Sequence, residues 1–290
     1  MDRKAQPQTN SVCQAVSVSP AFDGTGELLA RDVMQCGVVS IEMKEPIQKA
    51  VTLLLERNIS GLPVTHGGQL EGMLSEKDLL RLLYETEYLP GLVEDYMTYG
   101  VQSFDGETRL AVIHKNLVEH SFRRVPILLE GRIAGMITRA DHIRVYKERF
   151  RPASERSNAA NKGELLAEDA MKCGLVTARP DTLLYDAMDM ITRHHVTGLP
   201  VVDEGFHLLG VITEKDLLDC VQRPEAVGAS VGAFMTKDVV AFDRKTNLRS
   251  ICECLIANDF HRVPILDGRR LVGIISRSDI LKHRAAIFKL

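Results

Sequence analysis

The sequence predicts an α/β (α+β) fold made of four copies of one small unit, paired into two modules with pseudo-twofold symmetry. The first observation is a motif of Gly, two residues, Ser or Thr, two residues and Asp, which begins at Gly72, Gly135, Gly210 and Gly273. The second is a Pro motif upstream of each copy, which alternates between Gly-Leu-Pro and Arg-Val-Pro. The third is the spacing, since 138 residues separate Asp78 from Asp216 and also Asp141 from Asp279. Repeats one and three are therefore sisters, as are two and four, and an ancestral pair was duplicated whole.

Each unit is predicted to run strand, helix, strand, strand, helix. Apolar residues with helical spacing precede the Pro motif, as at Ile47, Ala50, Val51 and Leu54. The stretch after that motif has the pattern of two short strands joined by a Gly-Gly turn at 67–68, and the Ser or Thr then opens a second helix. A unit of about 55 residues is too small to bury its own sheet face, so the units must pair.

These patterns divide the chain into two modules and two irregular segments. Residues 1–27 are polar and are predicted to be disordered, and residues 148–164 are predicted to be a linker. The first module covers 28–147, with repeats at about 28–86 and 92–147, and the second covers 165–290, with repeats at about 165–223 and 229–285.

The composition is that of a globular protein with little attraction for nucleic acid. Of 290 residues, 45% are hydrophobic and 26% are charged, and 36 Lys and Arg face 39 Asp and Glu, for a net charge of -3. Proteins that bind duplexes carry a strongly basic stripe, so this balance disfavours nucleic acid as a partner. The N-terminus lacks the apolar core of a secretory signal, and the longest apolar runs are far shorter than the ~20 residues that cross a bilayer. A cytoplasmic protein without a membrane partner is expected.

Neither a metal site nor an enzyme active site is expected. The six cysteines form no CxxC pair with a matching His or Cys pair, and the adjacent His194 and His195 face apart on a helix. The sequence has no nucleophile elbow and no phosphate-binding P-loop. No catalytic domain remains once the four repeats are subtracted.

The Ser or Thr and the Asp of the first motif have two interpretations. As an N-cap residue and its N3 partner they form a capping box, which every duplicated repeat would inherit. As a ligand site they stand at a helix N-terminus that favours phosphate, where a carboxylate can accept hydrogen bonds from both hydroxyls of a ribose. The candidate ribose and phosphate residues are Ser75, Asp78, Thr138, Asp141, Thr213, Asp216, Ser276 and Asp279.

The Gly-Leu-Pro form of the Pro motif predicts a slot for a flat base beside those helices. Its apolar residues and its main chain can contact a purine and hydrogen-bond to the edge of the ring, which suits adenine but does not exclude guanine. The candidate residues are Gly61, Leu62, Pro63, Gly198, Leu199 and Pro200.

Cations in repeats two and four are candidates for the phosphate end of a ligand. Some precede the Val-Pro of the Pro motif and others follow the capping hydroxyl. The candidates are Arg123, Arg124, Arg139, His261, Arg262 and Arg277. For Arg124 and Arg262 the alternative is a surface charge at a strand end.

Repeats one and three have acidic residues where the other two repeats have Arg139 and Arg277. These are Glu76 and Glu214, each partly offset by the lysine that follows it, Lys77 or Lys215. The phosphate end of a ligand is therefore expected to bind more tightly in repeats two and four.

With these motifs in place, the four repeats resemble CBS domains and the two pairs resemble Bateman modules, over about 28–147 and 165–285. The resemblance implies that paired repeats pack through their sheets about a pseudo-twofold axis, with clefts for AMP, ADP, ATP or S-adenosylmethionine. It assigns ribose and phosphate contacts to the candidates named above and adds Ser278 beside Asp279. It also places Ser40 and Thr177 near the base or phosphate, a position where repeats two and four depart from the pattern.

The resulting functional hypothesis is a non-catalytic sensor whose two modules form a disc and signal to a protein effector. Its regulatory ligand is expected to be an adenine nucleotide (AMP, ADP or ATP, with Mg²⁺ accompanying ATP), and a homodimer through the helices is a further expectation. The alternatives are a sensor of S-adenosylmethionine and a structural scaffold whose clefts hold no ligand. A nucleic-acid-binding regulator would require a basic face that the sequence does not display.

Overall fold

The computed structural model describes residues 28–85, 90–120, 122–149, 165–221 and 228–288, together with residues 223 and 226. The segment expected to be disordered, 1–27, and most of the expected linker, 148–164, lie outside these residues. In the ranges that are described, no helix has the length and apolar character needed to cross a membrane.

The α/β fold is confirmed, and its elements follow the four repeats. The first repeat contains α1 (Ala30–Val33), β1 (Ile41–Glu42), α2 (Ile47–Glu56), β2 (Gly61–His66), β3 (Gln69–Ser75) and α3 (Glu76–Glu85). The second contains a 3₁₀ turn (Val93–Asp95), β4 (Thr98–Tyr99), β5 (Phe104–Asp105), α4 (Leu110–Glu119), β6 (Arg124–Leu129), β7 (Arg132–Thr138) and α5 (Arg139–Arg149). The third contains α6 (Ala167–Ala170), α7 (Leu184–His194), β8 (Gly198–Val202), β9 (Leu208–Thr213) and α8 (Glu214–Val221). The fourth contains α9 (Val231–Phe234), β10 (Phe242–Asp243), α10 (Leu248–Ala257), β11 (Arg262–Asp267), β12 (Arg270–Ser276), α11 (Arg277–Lys282) and α12 (Arg284–Phe288).

The order of elements within a repeat is the one that the sequence predicts. In the first repeat β1 pairs in parallel with β2, and β2 pairs antiparallel with β3. The turn between β2 and β3 is Gly67–Gly68, where φ is 58° and 86°, a conformation that glycine adopts without strain. The third repeat differs, because its first strand is reduced to a single parallel bridge between Ala178 and Val201.

Within each module, the two repeats exchange the segments that precede their first strands. These leading segments are residues 28–40, 90–103, 165–177 and 229–241. The first one lies on repeat two, where Gln35 pairs with Met136, and the second lies on repeat one, where β4 pairs with β3. The same exchange recurs in the second module, at Lys172–Ile274 and Thr236–Val211. Neither repeat of a module is therefore complete without the other.

The exchanged segments explain the glycine that opens each recurring motif. A Cβ atom on Gly72 would lie 2.2 Å from the carbonyl oxygen of Thr98, which belongs to the segment lying on β3. The other three glycines are also confined. Gly210 faces the carbonyl oxygen of Thr236 at 2.7 Å, and Gly135 and Gly273 face the side chains of Met34 and Met171. Glycine is thus required at these positions by the close approach of the paired repeat.

The repeats meet their pair mates through strands and their sisters through helices. In the first module the strands form one seven-stranded sheet in the order β1-β2-β3-β7-β6-β5, with β4 on β3, and a single pair, Gln69–Arg132, joins its halves. Between modules, α3 packs against α7 and α8, so repeats one and three share one core. Helix α5 packs against α10, α11 and α12 of repeat four. These contacts close a ring of four repeats within one chain.

Candidate functional site

Each of the four Asp side chains in the recurring motif caps the helix that it begins. Asp78 Oδ2 accepts hydrogen bonds from the backbone N–H and the hydroxyl of Ser75, at 2.9 and 2.6 Å. The same pair of bonds recurs at Thr138–Asp141, Thr213–Asp216 and Ser276–Asp279. The capping interpretation is therefore confirmed, and it uses one oxygen of each carboxylate, because Oδ1 takes no part in the cap.

Two of the four clefts, each named here by its Asp, already have a protein group at Oδ1. Asp141 Oδ1 accepts hydrogen bonds from Gln35 Nε2 at 3.2 Å and from the Arg144 guanidinium at 3.0 Å. Asp279 Oδ1 lies 3.4 Å from Lys172 Nζ. Gln35 and Lys172 occupy the same position in the leading segments of sister repeats, so the exchange of segments brings them over these carboxylates.

Asp78 and Asp216 are more accessible than the other two Asp residues. Both carboxylates are half-buried, whereas Asp141 and Asp279 are buried. In the part of the chain that the structure describes, no side chain donates to Oδ1 of Asp78 or Asp216. These two clefts therefore offer an unoccupied carboxylate oxygen at the start of α3 and α8.

The arginines of the Pro motif reach from one repeat of a module to the other. Arg124 donates to the Gly61 carbonyl at 3.2 Å and to the Ser60 hydroxyl, and Arg262 donates to the Thr197 hydroxyl. Burial lowers the pKa of Arg124 to about 10, so the guanidinium remains charged at neutral pH. Both arginines thus lie between paired repeats, and the alternative of surface charges at strand ends is wrong.

Two buried carboxylates, Glu76 and Glu214, lie among cations of the other repeats. We call this cluster, to which all four repeats contribute, the central junction; it consists of Glu76, Arg123, Arg124, Glu214 and Arg262. Glu76 and Glu214 are only 4% and 2% exposed. The Arg123 guanidinium donates to Glu214 Oε2 at 3.1 Å, while Oε1 of Glu214 has no partner among the described residues. Burial, with the nearby charge of Glu214, raises the pKa of Glu76 to about 7.

The lysines expected to offset these two carboxylates reach across to the sister repeat instead. Lys77 Nζ lies 3.2 Å from His195 Nδ1, and Lys215 donates to the Asn58 side chain. Arg123 neutralises Glu214, although 91 residues separate them. Sequence reasoning missed this pairing because it depends on how the two modules pack.

In repeat four, two of the residues expected to bind phosphate are held by protein groups. Arg277 is 6% exposed and donates to Asp259 Oδ1 at 2.6 Å. His261 Nδ1 lies 3.3 Å from the Arg277 guanidinium. Burial and the charge of Arg277 lower the pKa of His261 to about 4, so the imidazole is neutral at pH 7. His261, expected to be a second cation beside Arg262, is therefore a neutral ring.

The residues expected to form a base slot lie deeper than the sequence suggests. Leu62 and Leu199 are fully buried in the core that repeats one and three share, so their side chains do not line an open slot. Gly61, Pro63, Gly198 and Pro200 are buried beside them. At the other predicted position, Ser40 is exposed and Thr177 is half-buried.

A small cavity lies beside Asp279 where repeats two and four meet. Its volume of about 60 Å³ has room for a small anion. Arg139, which also donates to the Leu117 carbonyl at 3.2 Å, is one of three cations on its wall. The lining residues are Leu117, Val118, Arg139, Lys172, Ser278, Leu281 and Lys282. Among the described side chains there is no group of three His, Cys, Asp or Glu that could hold a metal ion.

A second polar cluster, which the sequence did not indicate, lies in the packing of α4 and α5 against repeat four. The rings of His114 and His142 have centroids 5.3 Å apart, and the Tyr146 ring stands edge-on to His114. His142 is fully buried, and neither of its ring nitrogens has a partner in the described part of the chain. Burial lowers the pKa of His142 to about 3 and that of His114 to about 4, with a contribution from Arg284 in both cases.

Comparison with known proteins first gives two relatives from Methanocaldococcus jannaschii. The chain is 29% identical to the protein MJ1225 over 192 residues, which are 65% of this chain and 68% of MJ1225. It is 35% identical to an inosine-5'-monophosphate dehydrogenase over 119 residues, which are 41% of this chain and 23% of that enzyme. The chain thus spans less than a quarter of the enzyme's length.

The solved structure of one of these relatives has the same fold. The crystal structure of MJ1225, presented as a proposed archaeal homolog of g-AMPK, superposes with a TM-score of 0.78 at 21% identity and covers 89% of this chain and all of MJ1225. CBSX2, a shorter protein solved in complex with AMP, matches 42% of this chain at 29% identity with a TM-score of 0.39, over 97% of its own length.

The family assignment rests on the repeats themselves. A model of the CBS domain matches four segments, 30–85, 93–147, 167–223 and 231–286, which together make up most of the chain. The chain belongs to the CBS domain family.

Proposed function

We propose that this protein is a non-catalytic sensor of adenosine-containing ligands, which bind in the clefts between paired repeats and alter a contact with an effector protein. The observation that carries the proposal is that the helix cap uses only one of the two oxygens of each Asp carboxylate. Oδ2 completes the helix cap, and Oδ1 at Asp78 and Asp216 remains free to accept a hydrogen bond from a ribose hydroxyl.

The central junction supports a phosphate end for the ligand. Arg123, Arg124 and Arg262 converge there in a partly desolvated setting, where a charge-assisted hydrogen bond to phosphate is stronger than it is in water. Glu214 already supplies an anion to Arg123 at 3.1 Å. A ligand phosphate would compete with that carboxylate for the same guanidinium.

This competition gives the sensor a mechanism. The bond between Arg123 and Glu214 joins repeat two to repeat three, and it therefore joins one module to the other. A phosphate that takes Arg123 removes the hydrogen-bonded counter-ion of the buried Glu214, which weakens this arrangement of the modules relative to others. A ligand shifts the protein only as far as it binds one arrangement better than another, and the proposed difference lies at this bond.

Isothermal titration of the purified chain with AMP, ADP, ATP with and without Mg²⁺, and S-adenosylmethionine tests the proposal. Asp78→Asn and Asp216→Asn keep an oxygen for the helix cap but remove the carboxylate, and each is expected to weaken binding at least tenfold. Asp186→Asn is the matched control, because Asp186 is exposed on α7. Urea unfolding of all three variants shows whether the cap survives.

The competing function is a scaffold whose clefts hold no ligand. It is favoured by the two clefts in which Gln35 and Lys172 already occupy the carboxylate. If none of these compounds binds with a dissociation constant below about 1 mM, or ~4 kcal/mol of affinity, the sensor proposal fails and the scaffold replaces it.

A further inference from the structure

The leading segment that lies over Asp279 carries a lysine, Lys172, where the other three leading segments carry an uncharged residue. We propose that Lys172 determines the ligand preference of the Asp279 cleft by acting as an exchangeable counter-ion, so that this cleft selects 5'-phosphorylated adenosine over uncharged or cationic adenosine compounds. This inference rests on the proposed function, because it concerns which adenosine compound enters one of the clefts.

The backbone of Lys172 is fixed by hydrogen bonds, while its side chain is largely exposed. Its N–H donates to the Ile274 carbonyl at 2.9 Å, and its carbonyl accepts from the Ile274 N–H at 3.1 Å. Ile274 lies on β12, the strand that leads to Asp279. The Lys172 side chain is 59% exposed, and its ammonium lies 3.4 Å from Asp279 Oδ1, on a carboxylate that is only 4% exposed. The ammonium therefore sits at the oxygen that a ribose would need.

Binding of a ribose at Asp279 would leave that ammonium without its partner. The cavity beside it already holds Arg139 and Lys282, so three cations would then share one small space. Like charges this close repel one another, and an anion relieves the repulsion. A 5'-phosphate supplies that anion, adenosine supplies none, and the sulfonium of S-adenosylmethionine adds a further positive charge.

Among the four leading segments, only that of repeat three has a charged residue at the position of Lys172. The equivalent residues in the other three are Gln35, Thr98 and Thr236, all of which the structure describes, and none of them is charged. In the sister cleft the Asp141 carboxylate is neutralised by Arg144 of its own helix, and Gln35 contributes a neutral amide. The chain thus contains its own comparison between an ammonium and an amide at one position.

The test measures the affinity of the full-length chain for AMP, adenosine and S-adenosylmethionine by isothermal titration. The signal that Asp279→Asn removes is assigned to this cleft. In this cleft, AMP is expected to bind at least tenfold more tightly than adenosine or S-adenosylmethionine. Lys172→Gln, which installs the residue of the sister repeat, is expected to reduce the ratio of AMP to adenosine affinity at least tenfold, with adenosine binding unchanged or tighter. Lys172→Arg should retain the ratio, and Gln35→Lys should raise it in the Asp141 cleft.

The possible failures are distinct. If Lys172→Gln changes the affinities for AMP and adenosine by the same factor, or changes neither, Lys172 does not select the ligand. If the wild-type chain binds these compounds but Asp279→Asn removes no signal, this inference fails while the proposed function stands on the other clefts. If the wild-type chain binds none of them, the inference fails together with the proposed function.

Discussion

Replacement of Gly72 by alanine tests whether the exchanged segments determine the glycine of the recurring motif. The new Cβ would lie 2.2 Å from the Thr98 carbonyl oxygen, about 1 Å closer than two such atoms normally approach. Because the obstructing atom belongs to the backbone, a change of side-chain rotamer cannot relieve the clash. The leading segment that contains β4 must therefore move away from β3.

The cost of that movement has two parts. Overpacking of a tightly filled site typically destabilises a protein by about 1–3 kcal/mol. The displaced segment also loses part of the pairing of Gly72 with Tyr99 and of Met73 with Thr98, at about 1 kcal/mol for each hydrogen bond. The lower chain entropy of alanine in the unfolded state returns about 0.4–1 kcal/mol. The expected net loss of unfolding free energy is about 2–4 kcal/mol.

Urea unfolding followed by circular dichroism measures this loss. Glu71→Ala is the control, because Glu71 lies next to Gly72 on the same strand but is only half-buried. The control is expected to stay within about 0.5 kcal/mol of wild type. A Gly72→Ala variant that is as stable as the control would refute the close approach of the two segments.

Two further predictions concern pH. Between about pH 3 and 6.5 the unfolded chain binds a proton at His142 that the folded chain excludes, so the free energy of unfolding should fall by about 2 kcal/mol from pH 7 to pH 5. In urea titrations at the two pH values, His142→Leu should show a fall in unfolding free energy that is smaller by this amount, and an unchanged fall would show that the ring is not kept neutral. Glu76 changes the unfolding free energy in the opposite direction, because its raised pKa makes the folded chain bind the extra proton between about pH 4.5 and 7. Glu76→Gln should therefore stabilise the chain by up to about 3 kcal/mol at pH 8 and have little effect at pH 5, and equal stability at pH 8 would argue against a desolvated carboxylate.

Much of the fold could be predicted because its signals are local. The buried positions of α2, such as Ile47 and Leu54, follow the helical period of the sequence, and Gly67–Gly68 forms the turn between β2 and β3. The helix caps could also be predicted, since the Ser75–Asp78 pair acts over a single turn. Each of these features depends on residues that are close together along the chain.

The candidate site could be predicted only in part, because its geometry depends on contacts between repeats. The position of Lys172 over Asp279 arises from the exchange of leading segments, which leaves no periodic signal in the sequence. The bond between Arg123 and Glu214 arises from the packing of one module on the other. His142 looks like a surface residue of α5 until repeat four covers it.

The closure of the ring within one polypeptide has a consequence for how its clefts can diverge. In a ring built from two identical chains, every position occurs twice with the same side chain, so sister clefts must share one affinity. Here the bridges of Gln35 and Lys172 to their neighbouring strands are alike, yet the side chains that they carry differ. In a fused duplicate, one mutation can change the affinity of one cleft alone. For the proposed sensor, clefts with different affinities would fill at different ligand concentrations, and the response would extend in steps over a wide range of concentration.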